Sequence, residues 1–266
     1  MELQKRQVTR LRQHILSWYK KHKRDLPWRK TKDPYKILIS EVMLQQTQVD
    51  RVVAYYERWL KALPTFEKLF RVSTKKLLTL WSGLGYNNRV LRLRALAGVV
   101  IKDHKAKLPK TYEQLIRLPG IGDYTANAIL AFAFNKSVPV MDTNIRRVLI
   151  HELKLSEKIS LDELKIISLQ LIPKEKSCIW HNALMDYGAL FKTARRTGIK
   201  PLSQQGAFVG SNREVRGFIT KELTQKDSLP MNVVKKNFPD KDVVVIVNKM
   251  VEDGLVQVKD GFLVLA

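Results

Sequence analysis

Apolar residues recur at three- and four-residue spacing along most of the first 200 positions, the period of an α-helix with one buried stripe. Leu11, Ile15, Trp18 and Tyr19 fall on one face of a helix predicted over Val8–His22. Asp33-Pro34 opens a second, Tyr35–Gln45, because proline suits a first helical turn and the aspartate before it can cap. The same period predicts helices over Gln48–Leu63, Ser73–Trp81, Asn87–Lys102, Thr111–Arg117, Asp123–Phe134, Asn144–Leu153, Asp162–Leu171 and Ile179–Leu190. No run before residue 205 alternates as a half-buried strand would. The expectation is an all-α domain of about ten helices.

The pattern changes near Gly198–Gly210, where three Gly and a Pro interrupt the helices and read as a linker. Residues 1–204 are therefore expected to form one domain and residues 205–266 a second, smaller one. The second reads as helices over Ser211–Thr224, Met231–Phe238 and Lys241–Asp253, followed by strands Leu255–Lys259 and Phe262–Leu265. Asp260-Gly261 between the strands is a strong hairpin signal. Three helices and a hairpin predict a winged-helix-like α+β module behind a mainly α chain. A DNA-reading winged helix usually carries a basic recognition helix. Here the third helix is mostly apolar, with only Lys241 and Lys249 as cations. Contact with DNA and contact with a protein partner both stay open for this module.

Charge narrows the partners. The chain of 266 residues has 48 Lys and Arg against 25 Asp and Glu, a net +23. Residues 205–266 hold nine basic against eight acidic residues, which leaves +22 on residues 1–204. Such an excess points to a polyanion, nucleic acid before an anionic membrane. No apolar run approaches the ~20 residues of a membrane span. The start, Met1 to Arg6, lacks the apolar core of a signal peptide. An intracellular protein is expected, cytoplasmic and nucleoid-associated if prokaryotic, and a monomer. The single cysteine, Cys178, excludes an intramolecular disulfide and any all-cysteine metal site. His14, His22, His104, His151 and His181 form no short metal-spaced pair, so no metal site is expected.

The most specific segment is Leu118-Pro119-Gly120-Ile121-Gly122-Asp123-Tyr124-Thr125-Ala126. Gly120 and Gly122, two apart between amphipathic helices, make a tight turn whose exposed N–H groups can cradle a phosphate at a helix N-terminus. Such a contact positions DNA without reading sequence. About twenty residues on stands Val138-Pro139-Val140-Met141-Asp142-Thr143-Asn144. Asp142 can be the N-cap of the next helix, or a carboxylate beside a sugar C1′ that stabilises or attacks an oxocarbenium ion.

Hairpin, spacing and following aspartate closely resemble the helix-hairpin-helix-Gly-Pro-Asp superfamily of base-excision DNA glycosylases, over roughly residues 8–198. Leu26-Pro27-Trp28-Arg29 and Ser40-Glu41-Val42-Met43-Leu44-Gln45-Gln46-Thr47 are worded most like its adenine DNA glycosylase (MutY) branch. The resemblance implies two helical lobes that bind double-stranded DNA with a mismatched or damaged base and flip the target nucleotide. It implies Glu41 as the acid that assists departure of adenine through N7, a task suited to a carboxyl whose pKa is raised by enclosure. Asp142 becomes the ionised partner, and Asn144 the residue that orients sugar or base. Tyr124 stands where lyase relatives carry a Schiff-base lysine; a phenol forms no imine, so a monofunctional hydrolase is implied. Gln46 would fill the gap left by the flipped base and Tyr86 would wedge beside the opposing one. Gly120, Gly122, Thr125 and Arg29 would complete the DNA contacts.

Four departures bear on that reading. Thr143 occupies a slot usually held by glycine, and Asn87 one usually held by a second aromatic. After the Gly188-Ala189-Leu190 helix the family's four cluster cysteines are missing, so the iron–sulfur cluster is expected to be absent and no cofactor required. Lys192, Arg195 and Arg196 become candidate phosphate contacts in its place. Residues 211–266 are too few for a Nudix-like reader of 8-oxoguanine. Adenine opposite 8-oxoguanine or guanine is the leading target. A thymine or uracil glycosylase for G mismatches, and a non-catalytic DNA-binding protein on the same scaffold, are the alternatives.

Overall fold

The computed structural model describes residues 2–202 and 206–266. The expected boundary between residues 204 and 205 lies outside the described residues. The helices, in chain order, are α1 (Lys5–His22), α2 (Pro34–Leu44), α3 (Val49–Ala62), α4 (Phe66–Arg71), α5 (Thr74–Trp81), α6 (Asn88–His104), α7 (Tyr112–Leu115), α8 (Asp123–Phe132), α9 (Thr143–Leu153), α10 (Leu161–Leu171), α11 (Ser177–Asp186), α12 (Ala194–Thr197), α13 (Asn212–Gln225), α14 (Met231–Asn237) and α15 (Val243–Glu252). A 3-10 turn, Pro27–Arg29, precedes α2, and a π-helical turn, Tyr187–Phe191, continues α11. The chain is mainly helical, as its periodicity predicts. The unpredicted helices α4 and α12 are too short for an apolar stripe to repeat. Each is started by a threonine hydroxyl, Thr65 accepting from the Lys68 N–H and Thr193 from that of Arg196. None of the described helices is long and apolar enough to cross a membrane.

Two compact units form, and neither is one stretch of sequence. The first comprises Met1–Glu41, Pro109–Arg117 and Ile121–Gln204. Its main core gathers Ile15 of α1, Val148 and Leu149 of α9, Leu164 and Ile167 of α10, and Trp180 and Leu184 of α11. Arg12 of α1 donates to the Gln170, Leu171 and Ile172 carbonyls, satisfying the open C-terminal end of α10. A smaller cluster joins Ile37 of α2 to Ala128, Ala131 and Phe132 of α8, with Tyr124 at its edge.

The second unit comprises Val42–Leu108, Leu118–Gly120 and Gln205–Ala266. Trp59 of α3 and Trp81 of α5 are fully buried and meet edge to face, 5.6 Å between ring centroids. The C-terminal helices belong to this unit. α13 packs on α5, and the Thr220 hydroxyl accepts from the Asn87 amide at 2.8 Å. α15 buries Val243, Ile246, Val247 and Met250, while its Val244, Val245 and Val251 are exposed. The antiparallel sheet runs β1-β3-β2, with β1 Leu229–Pro230, β2 Val256–Lys259 and β3 Phe262–Leu265. β2 and β3 are the predicted hairpin, closed by Asp260 and Gly261 at φ +49 and +79°. β1 has only two residues, one a proline, so no alternation announced it. Three helices and this sheet make the winged-helix-like arrangement.

Candidate active site

Glu41 lies on α2, the least polar helix around it. Asp33 starts the helix by accepting from the Tyr35 N–H at 2.9 Å, and Ile37, Leu38, Ile39, Val42 and Met43 are all buried. A carboxyl four residues from Ile37 on such a helix is carried inward, and Glu41 is only 6% exposed. The Tyr124 phenol, at the start of α8, donates to Glu41 Oε2 at 2.9 Å. Burial pushes the Glu41 pKa up to about 7, with the charge of Asp142 acting in the same direction. The Tyr124 hydrogen bond and the Arg29 charge oppose the rise. Burial and the two carboxylates hold the Tyr124 phenol neutral, well above its ordinary range.

Asp142 is the N-cap of α9. Its Oδ1 accepts from the Ile145 N–H at 2.7 Å and its Oδ2 from the Asn144 amide at 3.0 Å. Burial raises its pKa, opposed by those hydrogen bonds and by the Arg147 charge. The capping role is therefore real, and it coexists with a place in the electrostatics of Glu41. Arg147, which sequence reasoning passed over, fastens this corner. It donates to Asn144 Oδ1 at 3.1 Å and to the Gly188 and Lys192 carbonyls at 3.1 and 3.3 Å. A Cβ on Gly188 would fall 2.8 Å from the Asn144 carbonyl oxygen, so only glycine lets the π-turn approach α9 this closely. Thr143 is exposed and helical, and the Asp142 cap forms with it in place.

Arg29 departs from its expected role as a DNA contact. Its two terminal nitrogens donate to Asp186 Oδ2 and Oδ1 at 2.6 and 2.8 Å, and Arg24 Nε reaches Oδ1 at 2.6 Å. Burial alone would raise the Asp186 carboxyl, but the Arg29 and Arg24 contacts outweigh it and hold the pKa below its ordinary value. A buried acid needs paired charges, so Arg29 is committed to the interior. Thr125 departs as well: it is 3% exposed, on the inward face of a helix buried almost throughout. Gly120 and Gly122 are exposed as expected. Gly120 sits at φ +78°, and a Cβ there would lie 3.0 Å from that of Arg92. Gly122 is the N-cap of α8.

Gln46 and Tyr86 belong to the second unit. Both are exposed, and both hold left-handed backbone conformations, φ +56 and +48°. Such geometry in non-glycine residues costs energy and marks places where the surroundings dictate the conformation. Arg89 supplies part of that constraint. Its Nη1 donates to the Val42 and Gln45 carbonyls at 2.6 and 2.8 Å, and its Nη2 to those of Leu84 and Gly85 at 2.9 and 3.0 Å. One guanidinium thus ties the end of α2, next to Gln46, to the loop that carries Tyr86. Arg195 and Arg196 are exposed on α12, with Arg196 over the Phe191 ring. Lys192 is instead paired with Glu152 at 3.3 Å. Among the described residues no group of three or more His, Cys, Asp or Glu could hold a metal ion.

A family model described as HhH-GPD superfamily base excision DNA repair protein matches residues 39–174, a range that contains Glu41, Tyr124 and Asp142. An adenine DNA glycosylase of Mycobacterium tuberculosis is 38% identical over 228 residues, spanning 77% of this chain and 75% of its own. One of Mycolicibacterium smegmatis is 34% identical over 278 residues, spanning 95% and 94%. Among solved structures, a thermostable thymine-DNA glycosylase superposes with a TM-score of 0.67 at 28% identity, over 72% of this chain and 90% of that one.

Proposed function

The chain belongs to the HhH-GPD superfamily of base excision DNA repair proteins, and from that premise we propose that it is a DNA glycosylase that removes adenine mispaired with 8-oxoguanine or guanine. Adenine is a poor anionic leaving group, so cleavage needs a proton delivered as the bond breaks. Glu41 is the donor: with a pKa of about 7 it is substantially protonated at neutral pH. Tyr124 binds its Oε2, which leaves Oε1 to carry the proton toward adenine N7. The C1′–N9 bond then breaks with its electron pair going to the base. Asp142 stabilises the oxocarbenium ion left on the sugar, and the hydrogen bonds from Ile145 and Asn144 favour its anionic form. Water adds at C1′ and gives up its proton to a carboxylate. Tyr124 provides no amine for a Schiff base, which favours hydrolysis without strand cleavage.

The observation that carries this reading is the buried Glu41 carboxyl, held by Tyr124 and raised by burial. Four thiolates are needed for a [4Fe–4S] cluster. The chain offers Cys178 alone, so its residues do not fit that group.

The test is single-turnover base release from a duplex panel. Adenine should leave fastest opposite 8-oxoguanine, and Glu41→Gln should slow it by about 10²-fold or more. A second reading, thymine or uracil removal opposite guanine, is favoured by the similarity to a thymine-DNA glycosylase structure and by Asn87 beside Tyr86. Faster release of uracil than of adenine would establish it. Release of nothing from the whole panel would leave a DNA-binding scaffold.

A further inference from the structure

We propose that Arg213 of the C-terminal module is a positioning residue for recognition of the purine opposite the excised base, and that it acts through Tyr86. The proposal rests on the reading of Tyr86 as the residue that meets that purine. Arg213 begins α13, and its guanidinium lies 5.8 Å from the centroid of the Tyr86 ring, with Nη1 donating to the phenol oxygen at 3.4 Å. Arg89 approaches the same ring at 5.6 Å. An aromatic face attracts a cation within about 6 Å, so the ring is held by two guanidiniums. Tyr86 needs such restraint, because it is 37% exposed and its backbone is left-handed.

Arg213 is itself fixed. Its Nη2 donates to the Gly206 and Ala207 carbonyls at 2.6 and 3.0 Å, and Phe208 lies under it at 5.9 Å. A second, independent contact sets the register. The Thr220 hydroxyl, buried, accepts from Asn87, the residue right after Tyr86. Arg213 and Thr220 are seven residues apart, two turns along one face of α13. The helix therefore grips the Tyr86–Asn87 pair at both positions. Asn87, which fills a slot expected to be aromatic, is the docking point for the module.

With Nη1 on the phenol and Nη2 on two carbonyls, the Arg213 guanidinium acts on the purine through the ring that it holds in place. α15, the usual reading helix of such a module, buries Val243, Ile246, Val247 and Met250 and exposes Val244, Val245 and Val251, with Lys249 as its one cation. α13 is thus the element through which the module touches Tyr86 and Asn87.

The test is equilibrium binding to a duplex bearing a tetrahydrofuran abasic site opposite 8-oxoguanine, guanine or a second tetrahydrofuran. That substrate does not depend on which base is excised. Arg213→Ala is expected to weaken binding about tenfold with either purine and less than twofold with no base opposite, a coupling of ordinary size for groups in contact. Arg213→Lys should fall between, and the melting temperature should be unchanged in both. Tyr86→Ala should reproduce the Arg213→Ala pattern, with no further loss in the double variant. Equal weakening on all three duplexes would make Arg213 a phosphate contact and overturn the proposal, as would no change on any. If Tyr86→Ala alone leaves the preference intact, the reading of Tyr86 fails. If Tyr86→Ala loses the preference and Arg213→Ala keeps it, only the role of Arg213 fails.

Discussion

Glu41 carries two linked consequences of its burial. Its pKa of about 7 makes it a donor below that pH and an ionised bystander above it, so kcat/KM for base release should fall as pH rises through about 7. Stability moves the same way. An acid whose pKa is raised on folding binds its proton more tightly in the folded chain. Its stabilising contribution is full below about 4.5 and is lost as pH rises through about 7. Glu41→Gln, neutral at every pH, should therefore be more stable than the parent at pH 8 by on the order of 2–3 kcal/mol, and not at pH 4. Urea unfolding at the two values measures it; a variant less stable at pH 8 would contradict the burial argument. Asp142 permits a cleaner division of roles. Asparagine caps a helix about as well as aspartate, so Asp142→Asn should keep stability within about 1 kcal/mol. If the charge serves the chemistry, base release should nonetheless drop by about 10²-fold. An unchanged rate would reduce Asp142 to a cap.

At the scale of elements, the site depends on how closely the π-turn after α11 approaches α9. Gly188 faces the Asn144 backbone, and Arg147 spans the junction. Gly188→Ala must displace a backbone rather than a flexible side chain. It should destabilise the fold by about 1–3 kcal/mol, an overpacking cost, and slow base release beyond that loss by shifting Asn144 and the Asp142 cap. Calorimetry and single-turnover kinetics on the same preparation separate the two effects. The turn also carries Tyr187 and Phe191, which pack with Trp18 of α1 at 5.1 and 6.2 Å between ring centroids. The Tyr187 phenol shares a hydrogen bond with His14 Nε2 at 2.9 Å and donates to Glu152, the partner of Lys192. These aromatic and ionic contacts fasten the turn that leads from α11 toward α12.

For the whole molecule the governing quantity is charge. A net +23, concentrated on residues 1–204, should make DNA binding steeply salt-dependent, with log K falling by about 0.9 per neutralised phosphate for each decade of salt. Arg195 and Arg196 are exposed, whereas Lys192 and Arg29 are tied up in ion pairs. Replacing both exposed arginines with alanine should reduce the salt slope by roughly 1–2, about one for each lost contact. The same change at Lys192 should alter it far less. Binding titrations between low and moderate salt decide this, and a flat dependence would remove the electrostatic case.

Sequence alone determined what is local. Helical period, the Asp260-Gly261 hairpin and the glycine turn at 120–122 all depend on residues a few positions apart, and most elements fall where the pattern predicts. Counting likewise gives Cys178 as the single cysteine of the sequence. Tertiary structure decided everything that depends on what packs against what. Glu41 and Tyr124 are 83 residues apart, Arg29 and Asp186 157. No periodicity reveals that the first pair shares a hydrogen bond or that the second withdraws Arg29 from solvent. Thr125, expected among the DNA contacts beside the glycine turn, begins the buried stretch of its helix, which runs on to Phe132. The pKa of Glu41 is the clearest case. The residue's chemistry is written in the chain, but its value near 7 comes from desolvation and neighbouring charges, which exist only once distant segments have met.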